Sequence, residues 1–136
     1  LNTISNYIKQ CKREISEWKP DVVILIDYAG FNRRIGNFCK KSGITVFYYI
    51  SPKVWAWRQG RAWSLKANID RMFVILPFEK AFFKRKVDWE VDYVGNPVLD
   101  AVKDFKPSED FKSKHQWPSD KQLIALLPGS RAQELK

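Results

Sequence analysis

Four short runs of β-branched, aliphatic and aromatic residues recur along the chain, at 22–26, 44–50, 72–76 and 91–94, separated by stretches whose apolar residues follow helical spacing. A strand followed by a helix rejoins its sheet with the next strand parallel, through a right-handed crossover. The alternation therefore predicts an α/β protein with a parallel, doubly wound sheet covered by helices on both faces. The sequence shows no internal repeat or low-complexity tract.

The first helix is carried by Ile4, Tyr7, Ile8, Cys11, Ile15 and Trp18, after a cap at Asn2 or Thr3 and before the break at Pro20. Residues 22–26 are apolar without interruption, the pattern of a strand buried on both faces, and Asp27 follows directly. Further helices are expected at 31–41, stopped by Gly43, and at 54–69, where Trp55, Trp57 and Trp63 lie among Arg58, Arg61 and Lys66. Pro77 suits the first position of a helix over 78–86, because its missing N–H is no loss there. The turn Gly95-Asn96-Pro97 leads into a short helix at 98–105. The polar stretch 106–120 reads as a linker holding one helical turn. A strand-like run at 123–127 then meets a Pro-Gly turn and the helix-forming residues Ala132 to Lys136. With no Met before Leu1 and an end inside this last motif, the chain reads as a piece of a longer protein.

Twenty-four Lys and Arg against fifteen Asp and Glu leave a formal net charge of +9. Such a surface attracts nucleic acid, phosphorylated ligands or an anionic membrane, and charge alone does not choose among them. Cys11 and Cys39 fall on apolar helix faces and read as free thiols in a reducing compartment. His115 is the single histidine, sits in the polar linker and is assigned no function. No run approaches the roughly 20 apolar residues of a membrane span, so membrane contact is expected to be peripheral.

Three places have the residue types for chemistry. Asp27 stands at the carboxyl end of a parallel strand, where open α/β sheets form their ligand crevice. From position alone it is either a general base for an attacking hydroxyl or a cap for the following helix. Gly129 to Arg131 lie between a strand and a helix, either a plain turn or a loop whose N–H groups and Arg131 hold an anion. The tryptophans and basic residues of 53–66 fit core packing, base stacking or contact with lipid and headgroup phosphate.

Four stretches then occur in order: Ile26-Asp27-Tyr28-Ala29-Gly30-Phe31-Asn32; Tyr49-Ile50-Ser51-Pro52-Lys53-Val54-Trp55-Ala56-Trp57-Arg58; Leu76-Pro77-Phe78-Glu79; and Leu126-Leu127-Pro128-Gly129-Ser130-Arg131. Together they resemble the lipid-A-disaccharide synthase family, the second stretch being the most specific. The resemblance implies part of a GT-B glycosyltransferase built from two Rossmann-like domains around a cleft. Residues 1–105 would be the latter part of the N-terminal acceptor domain, 106–120 a linker, and 121–136 the start of the nucleotide-sugar domain.

The implied reaction joins UDP-2,3-diacylglucosamine to 2,3-diacylglucosamine 1-phosphate, giving a β-1,6-linked disaccharide 1-phosphate and UDP. It belongs to lipid A assembly in Gram-negative bacteria, by an enzyme peripheral to the cytoplasmic face of the inner membrane, a partner surface that is anionic. Asp27 takes the place of the family's essential acid, and Ser51, Trp55, Arg58, Asn96, Ser130 and Arg131 are the implied substrate-binding residues. Gly30 departs from the pattern, where an acid often stands. No cofactor or metal is expected, since the chain has no Asp-x-Asp element. The alternatives are a basic nucleic-acid-binding module, for which no RNA- or DNA-binding signature is present, and a non-catalytic α/β interaction domain. A piece of this length alone is expected to be inactive.

Overall fold

The computed structural model describes residues 2–118, 120–132 and 134, and the chain divides into two units, Leu1–Val102 and Lys103–Lys136. In the first unit α1 (Asn2–Trp18), β1 (Val22–Ile26), α2 (Ala29–Lys41), β2 (Thr45–Tyr49), α3 (Arg61–Asn68), β3 (Arg71–Val74), α4 (Pro77–Val87) and β4 (Asp92–Tyr93) follow one another. A further helix, α5 (Pro97–Asp104), crosses the boundary, and α6 (Phe111–Lys114) lies in the second unit. The strands form one parallel sheet in the order β1-β2-β3-β4, the expected parallel α/β class.

Register separates the two faces of this sheet. Leu25 pairs with Tyr48, which pairs with Met72, and these residues are buried together with Val46 and Val74. Side chains alternate along a strand, so Ile24 and Phe47 stand on the other face with Ile26, Tyr49 and Phe73. None of that second set is buried, and Ile24 and Ile26 are 57% and 58% exposed. The reading of 22–26 as a strand buried on both faces is thus corrected. In this chain β1 is an edge strand with one face uncovered, because sequential strand order with right-handed crossovers sends every connecting helix to the same side.

On the covered side α2 comes close at Gly36, where an added Cβ would lie 3.1 Å from Ile69 Cδ1 and 3.2 Å from Leu25 Cδ1. Ile8 of α1, Ile35 and Cys39 of α2, Leu65 of α3, and Phe83 and Val87 of α4 complete the core. Burial raises the Cys39 thiol pKa, and both cysteines are free. No helix among the described residues is long and apolar enough to cross a membrane.

Two further expectations change. The helix expected over 54–69 begins only at Arg61; residues 54–57 form turns, and Trp57 and Trp63 are exposed rather than packed into a core. The run 123–127 forms no strand, and Leu127 is 89% exposed. A strand exists only through hydrogen bonds to a neighbour, and among the described residues none pairs with it. The helix expected from Ala132 falls largely on residues 133, 135 and 136, outside the described residues.

Candidate functional site

Because every strand runs the same way, all four carboxyl ends lie along one edge of the sheet. The segments that leave this edge are Asp27-Tyr28, Ile50-Ser51, Ile75-Leu76 and Val94-Gly95-Asn96, so three of the four family-like stretches and the Gly-Asn-Pro turn converge there. Open α/β sheets bind their ligands at this edge.

Asp27 extends the ladder by donating its N–H to Tyr49 O at 3.0 Å, then turns out of the strand with φ 46, followed by Tyr28 with φ 35. Left-handed backbone at two consecutive non-glycine residues is sterically costly and persists only where neighbours impose it. Here Asn32 Nδ2 donates to Ile26 O at 2.8 Å and to Asp27 O at 2.7 Å, and the Tyr48 hydroxyl also donates to Asp27 O. Asn32 and Tyr48 are both buried, and burial pushes the Tyr48 pKa up to about 12, keeping its proton available for that bond. The result is a clamped backbone with the Asp27 side chain exposed and, among the described residues, free of hydrogen bonds. Asp27 is not the helix cap: Tyr28 holds that position, and no side chain caps α2.

The second and third stretches meet at a carboxylate. Glu79 has no accessible surface; its Oε1 accepts from Ser51 Oγ at 2.7 Å and from Trp55 Nε1 at 3.1 Å, and its Oε2 accepts from Leu76 N at 3.0 Å. The last contact is the backward half of a capping box at the N-terminus of α4. Trp55 also sets its ring edge-on to Phe78, with centroids 4.9 Å apart. Ser51 and Trp55, expected as substrate-binding residues, therefore direct their polar hydrogens to Glu79, fixing the segment after β2 against α4.

Arg58 is exposed, with its guanidinium 4.8 Å from the centre of the Trp57 ring, and Arg61 lies 6.0 Å from the same ring. Lys66 turns away to donate to Val87 O and Asp88 O, each at 2.9 Å, at the C-terminus of α4. Asn96 accepts from Val98 N through Oδ1 at 3.1 Å and so caps α5.

In the second unit, Glu134 Oε2 accepts from Ser130 N at 2.8 Å and Arg131 N at 3.1 Å, while Arg131 Nη1 donates to Glu134 Oε1 at 2.8 Å. These bonds hold the Glu134 carboxyl pKa below its ordinary value. A carboxylate thus occupies the loop in the manner expected for an anionic ligand.

The site residues split by unit: Asp27, Ser51, Trp55, Arg58 and Asn96 belong to the first, Ser130 and Arg131 to the second. Sequence reasoning did not single out Asn32, Tyr48 or Glu79. Asn32 and Glu79 stood inside the family-like stretches, but only burial and hydrogen bonding reveal what they hold.

Comparison with known proteins bears on the family of the whole chain. The family model for lipid-A-disaccharide synthetase matches residues 1–136. The lipid-A-disaccharide synthase of Syntrophus aciditrophicus (strain SB) is 43% identical over 135 residues, covering 99% of this chain and 35% of the relative. Lipid-A-disaccharide synthase 1 of Legionella pneumophila (strain Paris) is 40% identical over 137 residues, 100% of this chain and 35% of its own length. The lipid-A-disaccharide synthase of Myxococcus xanthus (strain DK1622) is 40% identical over 133 residues, 98% of this chain and 34% of its own length. The chain spans about a third of the length of the curated relatives it matches. With a parallel α/β sheet and a family-model match along its whole length, this chain belongs to the lipid-A-disaccharide synthetase family.

Proposed function

We propose that the chain is the latter part of the acceptor domain and the start of the donor domain of a glycosyltransferase that joins UDP-2,3-diacylglucosamine to 2,3-diacylglucosamine 1-phosphate. The observation that carries this reading is Asp27, whose carboxylate is exposed at the carboxyl edge of the sheet on a backbone locked by Asn32 and Tyr48. Asp27 removes the proton of the acceptor hydroxyl as that oxygen attacks the anomeric carbon of the donor. The bond from the anomeric carbon to the diphosphate oxygen breaks, and UDP leaves with the electron pair. The configuration at the carbon inverts.

Ser130, Arg131 and the loop N–H groups serve the donor diphosphate, the role that Glu134 imitates here. Ser51 and Trp55 act by holding the segment that carries Arg58, and Asn96 borders the same sheet edge. Residues 1–105 belong to the acceptor domain, 106–120 to a linker and 121–136 to the donor domain. The net charge of +9 supports peripheral attachment to the cytoplasmic face of an anionic inner membrane.

The test is Asp27→Asn in the longer protein that carries this chain. It should keep substrate binding and melting temperature while kcat falls by about 10² or more, the usual contribution of a positioned base. Normal kcat under saturating substrates removes Asp27 from the mechanism.

A further inference from the structure

Beside Asp27 the surface holds a concentration of positive charge that the chemistry above leaves unused. Two adjoining small grooves, of about 50 Å3 and 20 Å3, share Ala29, Pro52, Val54 and Arg61 in their walls. Lys53, Trp57 and Arg58 line the larger, and Arg33 lines the smaller. Among the described residues, no carboxylate forms an ion pair with Arg33, Lys53, Arg58 or Arg61. Arg61 shows the consequence, its pKa lowered by desolvation and then by the positive charges of Arg58 and Arg33. Like charges gathered without a partner repel one another, and an anion between them relieves that repulsion.

We propose that Arg33, Arg58 and Arg61, with Lys53, form a binding site for a phosphate monoester, and that the acceptor sugar's phosphate is its occupant. Guanidinium forks match phosphate oxygens bidentately, and several of them balance a dianion better than a single carboxylate. Ala29, which lines both grooves, is two residues beyond Asp27 in the sequence, so the grooves open near the strand end from which the proposed base emerges. This placement lets one sugar present its phosphate to the arginines and a hydroxyl to Asp27. The assignment rests on the glycosyltransferase reading for its choice of occupant, and on the charge cluster for its chemistry.

The experiment titrates this chain with glucosamine 1-phosphate, with inorganic phosphate, and with vesicles of phosphatidylcholine containing phosphatidylglycerol. Binding is followed by calorimetry and by the amide signals of Ala29 and Trp57, after circular dichroism has verified each variant's fold. Saturable sugar-phosphate binding is expected, displaced by inorganic phosphate. Arg33→Gln and Arg61→Gln should each weaken it about 10-fold, a loss of one charge-assisted contact. Lys9→Gln on the exposed face of α1 should leave it unchanged. Absence of saturable binding, or equal weakening by Lys9→Gln, overturns the site. Arginine variants that lose vesicle binding while holding the sugar phosphate normally also overturn it, in favour of a lipid surface.

Activity in the longer protein separates the two proposals. Arg33→Gln should raise the acceptor KM about 10-fold at unchanged donor KM. An unchanged acceptor KM with an inactive Asp27→Asn sinks the phosphate site and leaves the glycosyltransferase standing. A raised KM with a fully active Asp27→Asn sinks the base assignment alone.

Discussion

Glu79 and Glu134 each collect three hydrogen bonds near a turn, but Glu79 does so without accessible surface and Glu134 does so in the open. Of the donors to Glu79, Leu76 is three residues away, while Ser51 and Trp55 are brought to it from the start of the crossover that joins β2 to β3 through α3. Those of Glu134 come from Ser130 and Arg131, within four residues of it. A buried carboxylate with donors distant in sequence is part of the tertiary structure, and its removal leaves those donors unsatisfied. An exposed one with local donors competes with water at every contact, and it can yield its place to another anion.

The sharpest way to break this contrast is Glu79→Ala. It leaves the Ser51 hydroxyl, the Trp55 indole N–H and the Leu76 N–H without an acceptor, so stability should fall by about 3 kcal/mol or more in urea unfolding. A loss under 1 kcal/mol would mean that water or rearrangement satisfies the donors as well as Glu79 does, and the two carboxylates would then be alike.

A second test uses pH at another buried group. Tyr48 loses its proton at about 12 in the folded chain and at about 10 when unfolded. A raised folded pKa contributes stability in full below the unfolded value and loses it as pH rises through the folded value. Stability should therefore decline from about pH 10 to about pH 12. The Tyr48 part of this decline should vanish in Tyr48→Phe, by urea unfolding at stepped pH. Glu134 has a depressed pKa, whose contribution is present above the unfolded carboxylate value and lost as pH falls through the folded one. Being exposed, its titration should show in the Ser130 and Arg131 amide signals and leave the unfolding midpoint of the first unit in place.

Ser51→Ala is the gentler probe of the buried group. It removes one of the three donors while Trp55 and Leu76 keep theirs, and should cost about 1 kcal/mol. The smallest effect belongs to Glu134→Gln. Stability should not change measurably, but pyrophosphate should bind the loop at 128–131 up to about five-fold more tightly once the competing charge is gone, read from the Ser130 amide. Unaltered affinity would mean that Glu134 does not shield the loop.

The same division separates what was legible in the sequence from what was not. The run at 22–26 became β1 unchanged, that at 44–50 became β2 one residue shorter at each end, that at 72–76 became β3 shifted to 71–74, and Asp27 stands at the strand end where the pattern put it. The run at 123–127 is equally apolar and stays irregular, since local composition supplies β propensity but not the neighbouring strand. Trp55 and Trp57 are two residues apart in one motif, yet one is tied to Glu79 and the other lies open beneath two arginines. Helical periodicity could not tell them apart, because the turns at 54–57 interrupt the helix on which that periodicity depends.

By itself, then, the sequence determined the alternation of elements, the parallel sense of the sheet, the strand ends at which the motif residues emerge and the excess of positive charge. These follow from short-range patterns: side-chain period, β-branching, turn residues and charge count. Only the tertiary structure decided that Asn32 and Tyr48 would clamp Asp27, that Glu79 would draw Ser51 and Trp55 inward, and that Arg33 would join Arg58 and Arg61. Each of these depends on which residues, distant along the chain, share a desolvated space, where hydrogen bonds must be satisfied and charges interact strongly enough to select one arrangement.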